Sequence, residues 1–370
     1  MAQTFFLAVA ALGLSFGVAF GVTPISGKLA RRFNILDHPH TYKKHREATP
    51  YLGGLAIMVS WLISMGFLFL LSLLTEQRPV AVSFVPLVCA IALGLLGLFD
   101  DVRSLPAAPR LAAHVTAAAA TWAAGLQVSI LPSPTLNFLL TIIWIVGITN
   151  AFNLLDNMDG LTAGLSGIAA FSFAIMAIAG GFSTLSIVAA ALAGAALGFV
   201  THNRHPAKIF MGDSGSTFLG YLLAVIGIHL RFDNLVQVTF LVPVVVLGLP
   251  ILDTTIVLFS RWRHGRPLFQ GGRDHISHRL VAAGLPVPAA VGFLCFSSVC
   301  LGWLGLVISR ANAEIGFMLL ALVMALGVFF GLLLLRVPVY EEAAGAEESK
   351  REPRQNLPRS TGLVRSGIRD

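Results

Sequence analysis

Asn150-Ala-Phe-Asn-Leu-Leu-Asp-Asn-Met-Asp-Gly-Leu161 lies where one apolar run, 135–152, ends and the next, 161–180, begins. Runs of about 20 apolar residues without period-2 alternation are the mark of membrane helices rather than of barrel strands. Two amides and two carboxylates at such a joint are costly to keep beside a membrane unless they hold something. Asn150, Asn153, Asp156 and Asp159 recur at every third residue. On an ideal α-helix that step drifts by roughly 60° each time, so the first and last would face opposite ways. A tighter 3₁₀ turn, or a helix end running into a loop, would bring all four to one side. They could then hold a divalent cation through oxygen, or accept a proton near a phosphate.

The rest of the chain reads the same way. Of its 370 residues 56% are hydrophobic and 12% charged, and the mean hydropathy is +0.81. A soluble domain carries about twice that charge fraction, so the expected fold is an all-α polytopic membrane helical bundle. The net charge of +7 does not point to nucleic acid, because Lys and Arg lie in short loops between apolar runs, where the topology rule for membrane proteins accounts for them. About eleven spans are expected, near 4–24, 51–74, 83–99, 110–128, 135–152, 161–180, 184–200, 214–231, 236–259, 288–309 and 313–335. No Lys or Arg precedes the first, which argues for a retained span rather than a secretory signal. Residues 1–335 read as one membrane domain, and 336–370, rich in Glu, Arg, Gly and Pro, as a disordered tail. Cys89, Cys295 and Cys300 fall inside apolar runs and read as inert thiols.

Basic residues orient the bundle. Lys28, Arg31, Arg32, Lys43, Lys44 and Arg46 follow the first span, and Arg103 and Arg110 the third. Arg204 and Lys208 follow the seventh, and Arg261 to Arg279 the ninth, whereas the intervening connections carry few cations. That alternation puts the N-terminus outside and the C-terminus in the cytoplasm. Every loop with reactive residues then faces the cytoplasm, which suits an enzyme with a soluble substrate better than a transporter or lipid flippase, whose polar groups lie near mid-membrane.

Those loops hold the remaining motifs. Asp100-Asp101 closes an apolar run, and two adjacent carboxylates repel unless a cation intervenes. In Ile209-Phe-Met-Gly-Asp-Ser-Gly-Ser216, small residues let a phosphate or metal approach the backbone. Asp213 there reads as a metal ligand, and Asp213 or Ser214 as a helix cap, and both can hold. Arg273-Asp-His-Ile-Ser-His-Arg279 mixes arginine and histidine, a set that grips phosphate, or serves as a solvated loop. Asp253 lies in an apolar span, as a structural ion pair or as part of the site. Asp37-His-Pro, Lys43-Lys-His45 and Thr49-Pro-Tyr-Leu-Gly-Gly54 bring cations and a close-approach Gly-Gly to the start of the second span; lone His114 and His229 read as structural. Together these suit transfer of a phosphoryl group from a soluble donor to a membrane-borne acceptor, two anions that need cations to meet.

The set resembles a known family. Asp100-Asp101, Asn150-x-x-Asn153-x-x-Asp156-x-x-Asp159-Gly-Leu, Phe210-Met-Gly-Asp213-x-Gly-Ser216 and His275-Ile-Ser-His278-Arg-Leu280 look like the polyprenyl-phosphate N-acetylhexosamine-1-phosphate transferases. The resemblance covers about residues 25 to 285. The stretch around Asp37, Lys43, His45 and Gly54 is similar to the branch that uses GlcNAc-1-phosphate. Membership would imply a bacterial plasma-membrane enzyme working at the cytoplasmic face. It would join UDP-N-acetylhexosamine to undecaprenyl phosphate with Mg²⁺ (Mn²⁺ as the alternative), release UMP and start a cell-envelope glycan. Phospho-MurNAc-pentapeptide transferase is the rival within the family, and a homodimer is left open.

By that resemblance Asp213 would ligate the metal, helped by Asn153, and Phe210 would stack on uracil. Asn150, Asn203, Asp156, Asp159 and Gly160 would lie near the nucleotide, and Asp100 and Asp101 would handle the lipid phosphate or its proton. His275, His278, Arg273 and Arg279 would grip diphosphate or sugar, with Lys43 and His45 as further substrate contacts. The chain departs from the pattern at three places. Asn157-Met158 replaces Gly-Leu between the two aspartates, Ser277 replaces the first His of a pair, and the Lys after Asp100-Asp101 is met only by Arg110, displaced along the chain.

Overall fold

A computed structural model describes residues 2–37, 48–74, 83–230, 232, 236–268 and 271–340. Its helices are α1 (Ala2–Arg32), α2 (Gly53–Leu74), α3 (Phe84–Val102), α4 (Ala107–Ala123), α5 (Pro134–Leu155), α6 (Leu161–Ala179), α7 (Ser183–Asn203), α8 (Gly212–His229), α9 (Val236–Val246), α10 (Gly248–Arg263), α11 (Ile276–Ala282), α12 (Val287–Arg310) and α13 (Ala313–Leu335). Among the described residues the strands are the two-residue β1 (Leu36–Asp37) and β2 (Thr49–Pro50), antiparallel with Leu36 opposite Pro50.

All eleven apolar segments are helical, but they do not all qualify as spans. Among the described residues eight helices are long and apolar enough to cross a membrane (α1, α2, α3, α5, α6, α7, α12 and α13), and nine if a bent pair is one span. That pair, Thr239–Val246 and Gly248–Arg263, is bent by 69°. Pro250 in the first turn of α10 has no amide to continue the hydrogen-bond ladder backwards. α4, with 17 residues, is at the low end of spanning lengths, and α8 opens on the polar Gly212-Asp-Ser-Gly-Ser216. The composition-based boundary at 335 also moves. The Arg279 guanidinium donates to the Val337 carbonyl at 3.1 Å, and the Tyr340 hydroxyl to Asp274 Oδ2 at 2.9 Å. The chain is thus anchored as far as Tyr340, and 341–370 lies outside the described residues.

α6, α7 and α8 form the buried centre, rich in Ala and Gly, so that their backbones approach closely. Polar side chains inside are paired across helices: Trp61 Nε1 with the Val188 carbonyl (3.2 Å), Trp144 Nε1 with the Ala224 carbonyl (3.0 Å), and Thr121 with Tyr221 (2.6 Å). α13 turns most of its leucines and phenylalanines outward, as a face against lipid tails requires. The C-terminal ends of α3, α5 and α7 meet the N-terminal ends of α2, α4, α6 and α8 through side-chain and backbone bonds. Helix ends, with their unsatisfied amides and carbonyls, therefore gather at one end of the bundle.

Candidate active site

The Asn150–Leu161 joint is built as a broken helix. α5 stops at Leu155, Asp156 caps it outside helical geometry (φ −77°, ψ 61°), and Gly160 at φ +76° turns the chain into α6. Its four polar residues do not converge on one point. Asn153 Nδ2 donates to Asp213 Oδ1 at 2.9 Å and to Ser216 Oγ at 3.1 Å. Asp156 faces the same carboxylates. Burial first, then Asp213 and Asp101, push its carboxyl up to about 8. Asn150 pairs instead with His114 (3.1 Å) and the Val146 carbonyl. Asp159 turns to His205 Nδ1 (2.8 Å) and the Ala207 amide (3.1 Å).

Asp213 is the hub. Its second oxygen, Oδ2, lies 3.0 Å from Arg110 Nη1, and the same nitrogen lies 2.8 Å from Asp100 Oδ2. One guanidinium at the start of α4 thus offsets two carboxylates, from α3 and α8. Asp101, by contrast, turns to the backbone. Oδ1 accepts the Asp213 amide at 2.7 Å and Oδ2 the Ser214 amide at 3.2 Å, so a carboxylate from another helix caps α8 in place of a local residue. Gly212, at φ +72°, lets this happen, since a Cβ there would strike the Asp101 carboxylate. Gly54 has the matching role on α2: a Cβ would run into the Gly215 backbone, and the Gly54 amide donates to the Met211 carbonyl at 2.8 Å.

The aromatic wall is Phe210 with Tyr51, ring centroids 5.9 Å apart. Tyr51 was not singled out from the sequence. Its phenol is held above the usual range by burial, then by Asp37, Asp101, Asp156 and Asp213, which places it beside the carboxylates. Asn203 is buried and works on the backbone, accepting the Gly160 amide through Oδ1 and donating through Nδ2 to the Ile209 carbonyl, each at 2.9 Å. It fixes the 156–160 loop to the segment before α8 rather than opening outward.

α11 contributes less than its motif implied. His275 is buried, its Nδ1 2.7 Å from Asp253 Oδ2, and Asp253 Oδ1 accepts the Ile276 amide at 2.7 Å. This resolves Asp253 as the anchor of α11. Arg279 is 1% exposed, and its guanidinium is consumed by the carbonyls of Asp274, Leu334 and Val337 and by Ser260 Oγ. Its side chain is turned into the protein. His278 is half-buried and faces His275 edge-on at 6.3 Å. Burial, then His275 and Arg273, push its imidazole down to about 4, so the ring is neutral near pH 7. Arg273 is exposed. Lys43 and His45 lie outside the described residues.

The oxygens of Asp213, Asn153 and Asp156 are the hard donors that Mg²⁺ takes. A carboxyl whose proton affinity is raised by neighbouring carboxylates is one that a cation relieves. Among the described residues no three His, Cys, Asp or Glu side chains are grouped to hold a metal. An ion here would therefore complete its shell with water and substrate phosphates.

Comparison with known proteins gives the same direction. The family model for glycosyl transferase family 4 matches residues 83–231. The chain is 35% identical over 276 residues to the probable undecaprenyl-phosphate N-acetylglucosaminyl 1-phosphate transferase of Bacillus subtilis (strain 168), covering 71% of this chain and 74% of that one. It is 30% identical over 354 residues to the decaprenyl-phosphate N-acetylglucosaminephosphotransferase of Mycolicibacterium smegmatis, with 86% of each chain covered. It is 31% identical over 272 residues to the phospho-N-acetylmuramoyl-pentapeptide-transferase of Shouchella clausii, covering 67% and 80%.

Proposed function

Since this chain belongs to the polyprenyl-phosphate N-acetylhexosamine-1-phosphate transferases of glycosyl transferase family 4, we propose that it transfers GlcNAc-1-phosphate from UDP-GlcNAc to undecaprenyl phosphate. UMP leaves, and the lipid-linked diphosphosugar that starts a cell-envelope glycan remains. The observation that carries this reading is the gathering of Asp100, Arg110, Asn153 and Asp213 from four helices into one hydrogen-bonded set. That set lies at the end of a bundle whose flanks are apolar enough for lipid. The relatives bearing GlcNAc names match more of the chain than the pentapeptide transferases do.

In the reaction an oxygen of the lipid phosphate attacks the sugar-bearing phosphorus of the donor. The new P–O bond forms as the bond to the UMP phosphate breaks, and UMP carries off the electron pair. A phosphate monoester is already largely dianionic near neutral pH, so the attack needs no strong base. That agrees with Asp101 being engaged by two backbone amides. Arg110 offsets the charge of Asp100 and Asp213 where two anionic substrates must meet. Phe210 offers a ring face to the base with Tyr51 tilted beside it, and neutral His278 can donate one hydrogen bond to the diphosphate or sugar. Mg²⁺, bound at Asp213 with Asn153 alongside, would supply Lewis-acid stabilisation of charge on the diphosphate. The basic loops support a cytoplasmic position for this end of the bundle, where the nucleotide sugar is.

The test is lipid-product formation by membranes given labelled UDP-GlcNAc or UDP-MurNAc-pentapeptide, each with undecaprenyl phosphate. GlcNAc incorporation with Mg²⁺-dependent UMP release is expected, and incorporation of the pentapeptide substrate alone would move the chain to the other branch. In Asp213→Asn activity should fall by about three orders of magnitude while the protein still inserts and purifies. Trapping of a phosphosugar on an aspartate in single turnover would exclude the direct route.

A further inference from the structure

The 156–160 loop and α11 come from distant parts of the chain and meet at one polar contact. Ser277 Oγ donates to Asn157 Oδ1 at 2.6 Å, across 120 residues of sequence. Among the described residues this is the one hydrogen bond between the loop and α11. Its geometry is fixed from both sides. Asn157 Nδ2 donates to the Leu154 carbonyl in the last turn of α5 at 3.3 Å, so both ends of the amide are used and it cannot turn over without losing both bonds. Ser277 is 1% exposed, so water does not compete for its hydroxyl. Beside the bond, Met158 packs on the apolar cluster of Ile276 and Leu280. The two bonded residues flank functional groups: Asn157 lies between Asp156 and Asp159, and Ser277 between His275 and His278.

The remaining anchors of α11, Asp253 and Arg279, tie it to α10 and to the C-terminal segment. Those bonds do not reach the loop, which otherwise shares with α11 the apolar cluster of Leu155, Leu161, Ile276 and Leu280. We propose that Asn157 and Ser277 are positioning residues for the transfer: their bond sets the separation between His278 and the Asp156–Asp159 loop, so that one donor molecule engages both. This rests on the function proposed above. A donor bound at its nucleotide end but slack at its diphosphate end still binds and reacts more slowly, because a small misplacement of reacting atoms lowers the rate far more than the affinity.

The experiment is a double-mutant cycle in the full chain with Asn157→Ala, Ser277→Ala and the pair. Each single variant should lose about tenfold in kcat with KM for the UDP-sugar changed less than about twofold, and the double should be no slower than the slower single. Ser277→Thr, which keeps the hydroxyl, should return kcat to within about twofold of wild type. Hydrogen exchange supplies an arm independent of activity, as Asn157→Ala should raise amide exchange across Ile276–Ala282. Wild-type kcat in both single variants, losses that multiply in the double, or unchanged exchange in α11 would each overturn the proposal. Failure of the wild-type chain to release UMP from any UDP-sugar would instead remove the function on which it rests.

Discussion

Arg110 Nη1 lies 3.0 Å from Asp213 Oδ2 although 103 residues separate them, and the same nitrogen lies 2.8 Å from Asp100 Oδ2. This guanidinium stands where two carboxylates would otherwise repel. Arg110→Ala should therefore lower kcat/KM by about a hundredfold, since two negative groups would then meet two anionic substrates without that cation. Arg110→Lys should recover part of the loss, because an ammonium restores one charged nitrogen between the carboxylates but carries it on a different stem, away from the position of Nη1. Equal activity of the Ala variant and wild type, read as UMP release, would reject the bridging role.

Asp101 predicts the opposite balance between stability and rate. Its two oxygens take the first amides of α8, so Asp101→Ala removes a helix cap. The expected loss is about 1–2 kcal/mol of stability, visible as a lower unfolding temperature in detergent. Because α8 carries Asp213, activity should fall with the loosening of that helix. Asp101→Asn, which keeps one acceptor, should be milder on both counts. A variant with full stability and no activity would return Asp101 to a chemical role.

How much of this was open to sequence reading follows from the kind of signal. Apolar runs fix helices because every backbone group in lipid must be satisfied within the chain, and all eleven segments are helical. Local motifs such as Phe210–Ser216 and Asn150–Leu161 stand out for the same reason, as polar residues beside lipid, and the fold brings the two stretches together. Partners across the chain were not visible. Arg110 was noted only as a displaced cation, and its reach to Asp213 depends on how α4 packs. Ser277 and Asn157 were noted as departures, and nothing in their spacing says that they touch. Arg279 had the composition of a phosphate ligand, but burial, which no motif shows, turned it inward.

Asp156 supplies a pH dependence. Its carboxyl is pushed up to about 8 by burial and then by Asp213 and Asp101, against about 3.9 in an unfolded chain. Between those values the folded state holds a proton that the unfolded state has lost. The stability linked to this group is thus full below about pH 4 and is lost as pH rises through about 8. Asp156→Asn has no such titration. In a metal-chelating buffer the variant should gain unfolding temperature relative to wild type between about pH 5 and pH 8.5, while losing transfer activity. A constant difference across that range would show that the carboxyl is not held protonated.

Arg279 gives the sharpest separation between motif and structure. In the resemblance it belongs with His278 as a grip on the diphosphate. In the fold its Nε donates to the Asp274 carbonyl at 2.9 Å, Nη1 to the Leu334 and Val337 carbonyls at 3.2 and 3.1 Å, and Nη2 to Ser260 at 2.8 Å. Asp274 is in turn held by Arg261 at 2.7 and 2.8 Å, and Arg261 and Tyr340 hold its carboxyl below the ordinary range against the opposing effect of burial. Removing Arg279 takes the donor from the Asp274 and Val337 carbonyls, while the Leu334 carbonyl keeps the Val337 amide and Ser260 the Tyr340 hydroxyl, a loss of about 1–3 kcal/mol for each orphaned carbonyl. Arg279→Ala should therefore reduce the yield of folded protein and its unfolding temperature, and the fraction that folds should keep KM for the UDP-sugar within about twofold of wild type. Arg273→Ala is the contrasting variant, because Arg273 is exposed at the same end and its loss should leave the fold intact. If Arg279→Ala instead folds normally with a KM raised tenfold or more, the guanidinium reaches the substrate and the buried arrangement is not the working one.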